Sequence, residues 1–199
     1  MKKMFLSLLA VMFACSVHAQ DFGFPVNEFG ESVVMGSVKT SHDAKYNAQV
    51  IRAWTGNQGF SVCNQISEEP GKSITYNIVK NTKSSYNPFA GQFVENLVFN
   101  LVVKFNGENV DYEFRNIQIQ EIYAGFGASN KTNSVAQFIE NVKNAKAAIE
   151  AAQQSGDKKA LKKAKKEHED TIENGTETLQ KAWGEFQKFE AKLKESLQK

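Results

Sequence analysis

Alternation of apolar and polar residues is the clearest pattern in this chain, and it is strongest between residues 93 and 122. The apolar positions on either side of Asn106-Gly107 recur at every second residue, namely Leu97, Phe99, Leu101, Val103, Phe105, Val110, Tyr112 and Phe114. A period of two is typical of a strand with one buried face. Asn-Gly between two such runs favours a tight hairpin in which both turn residues have positive φ. We therefore predict a long antiparallel hairpin with a Phe-rich inner face at the centre of the fold.

The second strand of this hairpin changes the parity of its apolar positions. They have even numbers as far as Phe114 and odd numbers from Ile117 onward. A strand can change parity and keep one buried face only if it contains an extra residue. The pattern therefore predicts a β-bulge at Arg115 or Asn116.

Shorter segments rich in apolar residues, two of them alternating, predict further strands. They lie at residues 32–39, 61–67 and 72–79, and Ile66 is assigned to the inner face. Residues 81–91 are rich in Ser, Asn, Pro and Gly, which is typical of a loop.

A helix is predicted between the first two of these strands. Ser41 can cap its first turn, and the helix ends near Trp54. Its buried face is predicted to contain Tyr46, Val50 and Trp54. The side chains expected to form the structural core are Tyr46, Trp54, Phe99, Phe105, Tyr112 and Phe114.

From Ser134 onward the apolar period changes to that of a helix. Ser134 resembles a helix cap, and apolar residues recur at steps of three and four up to Leu197, with a break at residues 155–157. Asn174-Gly175 interrupts the second run, so the segment is predicted to be a helical hairpin or three helices. Short connections favour antiparallel neighbours, and the narrow stripe is typical of a coiled-coil-like seam.

The first 19 residues have the features of a secretory signal peptide. A basic start is followed by a short apolar run and by small residues that place the cleavage site between Ala19 and Gln20. The alternative is a lipoprotein anchored through Cys15. Both readings export the protein, to the periplasm, the cell exterior or a membrane surface. No later segment is long and apolar enough for a transmembrane span.

These elements predict an α+β fold: a curved antiparallel sheet of about five strands packed on one helix, followed by a C-terminal helical hairpin. The predicted division is a signal peptide at residues 1–19, an α+β domain at 20–129 and an α-helical tail at 134–199. The single thiol after the signal, Cys63, cannot form an internal disulfide.

The order of elements, the export signal and the pair Tyr46 and Trp54 on the first helix resemble a known family. It is an exported bacterial domain of unknown function whose fold is like half of TATA-binding protein, and the resemblance covers about residues 30–127. It implies a curved sheet backed by a helix and no assigned activity. It carries over no catalytic residue and does not imply DNA binding, because fold does not fix function.

Charge and residue chemistry exclude several function classes. Removal of the signal peptide takes away Lys2 and Lys3, so the 24 basic side chains of the chain become 22, equal to the 22 acidic ones. The remaining chain has no net positive charge that would favour binding to a nucleic acid. His42 and His168 lie far apart and far from Cys63 in the sequence, which gives neither a catalytic constellation nor metal-ligand spacing. No catalytic residue, metal or cofactor is predicted, which favours a protein that is not an enzyme.

The outer face of the predicted sheet is the surface on which a function can lie. The candidate binding residues on it are Asn96, Asn100, Lys104, Gln118 and Gln120. Three alternatives are open: the face binds a ligand, it is simply hydrated, or the helical tail folds back over it.

The function predicted from these observations is that of an exported, non-catalytic envelope module that binds a protein, peptide or glycan. One alternative is a small-ligand carrier or enzyme that uses the open sheet face. Another is a structural protein that self-associates through residues 134–199.

Overall fold

The computed structural model describes residues 23–27, 29–125 and 127–199. The predicted signal peptide, its processing site at Ala19 and Gln20, and Cys15 lie outside the described residues.

The described chain forms one antiparallel sheet and three helices. The strands are β1 (Val34–Lys39), β2 (Val62–Glu69), β3 (Ser73–Asn87), β4 (Gly91–Asn106), β5 (Asn109–Ala124) and β6 (Ser129–Ser134). The helices are α1 (Ala44–Asn57), α2 (Val135–Gln154) and α3 (Lys158–Leu197). The sheet order is β1-β5-β4-β3-β2, and β6 also pairs with β5. The predicted α+β class is confirmed, with six strands rather than about five.

One edge of β5 is shared by two short strands. β1 pairs with residues 109–114 of β5, and β6 pairs with residues 118–123. Together they cover this edge of the central hairpin, and β2 forms the opposite edge of the sheet. An edge covered in this way presents fewer unpaired backbone groups to other chains.

The bulge predicted in β5 is confirmed. The pairing with β4 shifts between Val98 and Asn100, so that Asn116 and Ile117 together face Phe99. Asn116 has a φ of 54°, a left-handed conformation that Asn tolerates better than most residues. The extra residue returns the later apolar side chains of β5 to the buried face, as the change of parity predicts.

The hairpin turn differs from the prediction by one residue. Asn106 still pairs with Asn109, so the two turn residues are Gly107 and Glu108. Gly107 has a φ of 62°, whereas Asn106 and Glu108 are not among the residues with positive φ. Positive φ at the first turn residue alone, with Gly in that place, is the type II′ pattern. The prediction that Asn106 and Gly107 both have positive φ was wrong.

Helices α1 and α3 cover the same face of the sheet, which we call the inner face. Trp54 from α1 and Phe186 and Phe189 from α3 belong to one continuous core with the buried strand residues. Phe24, which precedes β1, is fully buried in the same core and contacts Phe186 with 5.9 Å between ring centroids. The C-terminal helices therefore complete the core of the sheet.

Five of the six predicted core side chains are buried: Trp54, Phe99, Phe105, Tyr112 and Phe114. The sixth assignment was wrong, because Tyr46 is 43% exposed and stacks on His42 at 4.1 Å between centroids. Asp43, and not Ser41, caps the helix by accepting a hydrogen bond from the Tyr46 N–H. The buried stripe runs through Ile51 and Trp54 and is rotated by about one residue from the predicted one.

The face assignment of β2 was also wrong. Cys63 pairs with the buried Ile78 and lies on the inner face, whereas Ile66 is 57% exposed at a shift in register between Gln65 and Ser67. Paired residues of antiparallel strands share a face, so a slip of one residue exchanges the two sides of a strand. Burial raises the pKa of the Cys63 thiol, although a hydrogen bond with Thr55 acts in the opposite direction.

The tail is a helical hairpin of two helices, because α3 continues through Asn174-Gly175 without a break. Gly175 is buried, and a Cβ at this position would lie 2.5 Å from Cγ2 of Val142 on α2. The missing side chain thus lets the two helices approach closely. None of the described helices is both long and apolar enough to cross a bilayer.

A carboxylate joins α3 to the centre of the sheet, and we expect it to make stability depend on pH. Glu190 accepts hydrogen bonds from Tyr112 Oη at 2.6 Å and from Lys194 Nζ at 2.8 Å. Burial alone would raise the pKa of Glu190, but the hydrogen bonds from Lys194 and Tyr112 outweigh it and hold this pKa below its usual value. A depressed folded pKa means that the stabilisation is present above the unfolded pKa and is lost as pH falls through the folded one.

Glu190→Gln is therefore expected to destabilise the protein at neutral pH and to differ little from wild type in acid. The check is urea unfolding of both proteins between neutral pH and about pH 3. Tyr112→Phe, which removes one donor, should give a smaller pH-dependent difference. A gap between wild type and Glu190→Gln that stays constant across this range would contradict the assignment.

Candidate functional site

The face of the sheet opposite α1 and α3, which we call the outer face, is covered by none of the three helices. Their buried side chains join the Phe-rich core on the other side. The alternative in which the tail folds over the outer face was therefore wrong. The register places all five candidate residues on this face: Asn96, Asn100, Lys104, Gln118 and Gln120.

One row of amide side chains crosses the sheet perpendicular to its strands. Asn81, Asn96, Gln120 and Thr132 are successive partners on β3, β4, β5 and β6. Asn96 Nδ2 donates to Gln120 Oε1 at 3.2 Å, and Asn81 Nδ2 donates to Asn96 Oδ1 at 3.4 Å. Each amide has two donors and a carbonyl with two lone pairs, so these bonds leave capacity for a ligand at both ends of the row.

A second polar row runs parallel to the first. Asn77, Asn100 and Arg115 are successive partners on β3, β4 and β5. Asn77 Nδ2 donates to Asn100 Oδ1 at 3.1 Å. Arg115 gives this row one fixed positive charge and a planar set of donors. We refer to the two sets, Asn81–Asn96–Gln120–Thr132 and Asn77–Asn100–Arg115, as the amide rows.

A row of apolar and amide side chains separates the amide rows. Val79, Val98 and Gln118 are successive partners there, so Gln118 stands between the two rows. Same-face positions along a strand are about 6.8 Å apart and neighbouring strands about 4.8 Å apart. The outer face thus presents hydrogen-bonding groups in a regular grid with small hydrophobic strips between them.

Lys104 lies at the far end of this face, away from the amide rows. It is exposed and pairs in register with Ser73 and Asp111. Asp111 also binds Asn106 Nδ2 through its carboxylate. Lys104 therefore extends the face without joining the amide network.

Three members of the rows were missed from the sequence, each for a physical reason. Asn81 lies in a stretch predicted as a loop, but β3 continues to Asn87 after a shift in register. Arg115 was assigned to the bulge, whose extra residue is Asn116. Thr132 belongs to β6, in which Ser, Asn, Lys and Thr are the only residue types. A strand without apolar residues gives no alternation to detect.

The two histidines and the cysteine of the described chain lie away from the amide rows. His42 stacks on Tyr46 at the start of α1 and His168 lies on α3, so neither contributes to the amide rows. Cys63 points to the inner face. Across the residues with described positions, no group of three or more His, Cys, Asp or Glu side chains could hold a metal ion.

Two solved structures are similar to this chain. One is described as a DUF4468 family protein from Bacteroides ovatus, with a TM-score of 0.43, 12% identity and a match covering 81% of this chain and 91% of the other. The second is described as a TBP-like protein from Parabacteroides distasonis, with a TM-score of 0.49, 12% identity and a match covering 87% and 96%. No family model and no curated protein matches the chain. The first description names a family of unknown function, and the second names a TBP-like protein.

Proposed function

We propose that this protein is an exported, non-catalytic module of the cell envelope that binds a protein, peptide or glycan through the outer face of its sheet. The observation that carries the proposal is the packing of α1 and α3 on the same inner face, which leaves the amide rows without a helical cover.

The grid of amides supports a partner that is extended and polar. Amide side chains both donate and accept, so they can match the hydroxyls of a glycan or the backbone of a peptide. The valines between the rows add small apolar contacts. The charge balance of the chain after residue 19 gives no general attraction to polyanions, so specificity depends on the geometry of the hydrogen bonds.

Export is the other half of the proposal, and it rests on the first 19 residues. The mature protein is expected to begin at Gln20, and mass spectrometry of protein isolated from the producing cells measures this directly. A mature chain that begins with diacylglyceryl-modified Cys15 would replace soluble export with lipid anchoring. A chain that retains Met1 would contradict export altogether.

Binding through the outer face is tested with the triple variant Asn100→Ala/Gln118→Ala/Gln120→Ala. Partners of the mature protein are first identified by cross-linking in its own envelope fraction, with glycan and peptide arrays as defined probes. The triple variant is expected to weaken binding by tenfold or more, because a tenfold change corresponds to about 1.4 kcal/mol and each lost hydrogen bond contributes about 0.5–1.5 kcal/mol.

A matched control keeps this test specific. Gln180→Ala removes an amide from an exposed position on α3, away from the outer face, and should leave the affinity unchanged. Urea unfolding of the variants checks that the fold is intact. If the triple variant folds normally and binds the identified partner as well as wild type does, the outer face is not the binding surface.

The alternative of self-association through residues 134–199 has less support. The apolar stripe of α3 from Leu179 to Leu197 is buried against the protein's own sheet, so this part of the helix has no free seam. Light scattering of the full mature chain over a range of concentrations separates the two functions. A concentration-dependent dimer that the outer-face triple variant does not alter would favour the structural role.

A further inference from the structure

The first turns of α3 carry a dense cluster of positive charge, which we call the lysine face. Six lysines occur within nine residues, and all six side chains are exposed: Lys158, Lys159, Lys162, Lys163, Lys165 and Lys166. Residues 147–166 form the tip of the helical hairpin, and the acids among them are Glu150 and Asp157. Six lysines and two acids give this tip a net charge of +4, although the chain after residue 19 is neutral.

Little within the described part of the chain neutralises the lysine face. Lys163 forms an ion pair with Glu167 at 3.8 Å. Asp157 caps the helix, and its carboxylate accepts hydrogen bonds from the backbone N–H groups of Lys159 and Ala160 at 2.8 and 3.3 Å. The other five lysines form no salt bridge with any described residue, so their charges are available to an external anion.

The spacing of these lysines is unfavourable for the helix that carries them. Three like-charged pairs lie four residues apart, namely Lys158 with Lys162, Lys159 with Lys163, and Lys162 with Lys166. Like charges at this spacing are neighbours on a helix and destabilise it. The first turn also contains no acidic residue, so the positive end of the helix dipole meets further positive charge. A negatively charged surface would relieve both repulsions.

The lysine face lies on the part of α3 that is distant from the core. In the described chain, Ile172 is the first residue of α3 that packs against the common core, and Lys158 precedes it by ~21 Å along the helix axis. The acids Glu169, Asp170 and Glu173 lie at the core end of this stretch. Lys158 is ~16 Å from Glu169 along the axis, about twice the ~8 Å Debye length at physiological ionic strength. A surface that meets the tip of the hairpin is therefore largely screened from these acids.

The long lysine side chains also form a shallow groove on the helix surface. Its volume is about 530 Å³, and the residues that line it are Lys158, Leu161, Lys162, Lys165, Lys166 and Glu169. Four of the six lining side chains are lysines, and Leu161 adds apolar surface between them. A phospholipid headgroup presents the matching combination, a phosphate next to a short glycerol backbone.

We propose that the lysine face binds the protein to the surface of a bilayer that contains anionic phospholipids. Clusters of about four to eight Lys or Arg on an amphipathic helix are typical of binding to anionic headgroups. Lysines act as flexible point charges, which suits the phosphates of a fluid surface. A nucleic acid fits less well, because residues 147–166 contain no arginine and no aromatic side chain for contacts with bases.

The test is co-sedimentation of the full mature chain, which begins at Gln20, with two kinds of vesicle. One kind is phosphatidylcholine alone, and the other is equal parts of phosphatidylglycerol and phosphatidylcholine. The anionic vesicles are expected to bind the protein at least tenfold more tightly than the neutral ones. Raising the salt from about 0.1 M to about 1 M shortens the Debye length from ~10 Å to ~3 Å and should abolish this preference.

A pair of matched variants assigns the binding to the lysine face. Lys162→Gln/Lys166→Gln removes two exposed charges and keeps good helix formers at both positions. It should weaken binding to the anionic vesicles by about 30-fold, the factor expected for two lysines at an anionic membrane surface. Lys45→Gln/Lys192→Gln removes two exposed lysines from α1 and from the C-terminal half of α3 and should leave vesicle binding unchanged.

Three results would overturn the proposal. They are equal binding to neutral and anionic vesicles, absence of binding to the anionic vesicles, and an equal effect of the two double variants. Retention on double-stranded DNA or heparin at a salt concentration that abolishes vesicle binding would also overturn it, because that result assigns the lysine face to a polyanion. The two kinds of vesicle and the salt series use wild type alone, so they decide the question even if a variant does not fold. The lysine face and the outer face are tested by different residues and probes, so either proposal can fail without the other.

Discussion

Phe186→Ala is expected to lower the free energy of unfolding by about 3–5 kcal/mol, the range for deleting a large buried aromatic side chain. Phe186 is fully buried on α3. Its ring centroid lies 5.0 Å from that of Phe99, 5.4 Å from Phe114 and 5.9 Å from Phe24. The substitution removes contacts from the C-terminal helix, two central strands and the N-terminal segment together, so little of the lost packing can be recovered by local collapse.

Urea unfolding monitored by circular dichroism measures this effect. The matched control is Phe89→Ala, which deletes the same atoms at a position that is 92% exposed, and it should change stability by less than about 0.5 kcal/mol. A small effect of Phe186→Ala would mean that α3 is an appendage of an independently stable sheet domain. A large effect supports one cooperative core that includes residues 134–199.

The need for α3 could have been inferred from lengths, and the sequence contains that signal. A strand of 16 residues such as β4 spans ~53 Å, whereas the 14 residues of α1 span ~21 Å. One short helix cannot cover the whole Phe-rich face of such a hairpin. The stripe of the C-terminal segment also contains Phe186 and Phe189, which are larger than a narrow two-helix seam requires. Both observations favour packing against the sheet. Periodicity alone does not identify the surface against which an apolar stripe packs.

The accuracy of the sequence predictions follows the degree of burial. Alternation located the central hairpin and its bulge because those strands have one fully buried face. It failed at Ile66, because both faces of β2 are largely exposed and neither parity is strongly favoured. It also failed at β6, which has no apolar residue. The outer face could be assigned from the inner one by exclusion, so its main residues were found.

A cleft of about 260 Å³ between α2, α3 and the end of β5 could not be found in this way. It is made by residues from three elements that are distant in the sequence, and no short motif links them. The cross-strand pair Glu95 and Glu121 depends on the exact register of β4 and β5, which the bulge at Asn116 alters by one residue. A cleft that depends on register and on tertiary packing is visible only once both are known.

Gly91→Ala is expected to destabilise the protein by about 2–5 kcal/mol, for two reasons that can be separated. Gly91 has a φ of 94°, and a left-handed backbone costs a residue with a Cβ about 1–2 kcal/mol. The new Cβ would also lie 2.0 Å from the carbonyl oxygen of Ala124. This obstacle is backbone of the adjacent β5, so it cannot rotate away, and overpacking of this kind adds about 1–3 kcal/mol.

Gly71→Ala separates the two contributions. Gly71 has a φ of 74° in the turn between β2 and β3, and a Cβ there would meet no atom within 4 Å. Gly71→Ala should therefore lower the free energy of unfolding by only ~1–2 kcal/mol, which is the cost of the backbone strain alone. Urea unfolding gives the global values, and amide hydrogen exchange along β3 and β4 shows whether Gly91→Ala opens the end of the hairpin before the core. Equal decreases in the free energy of unfolding for the two variants would mean that β4 and β5 can separate at Gly91 without cost. The close packing of Gly91 against β5 would then not contribute to stability.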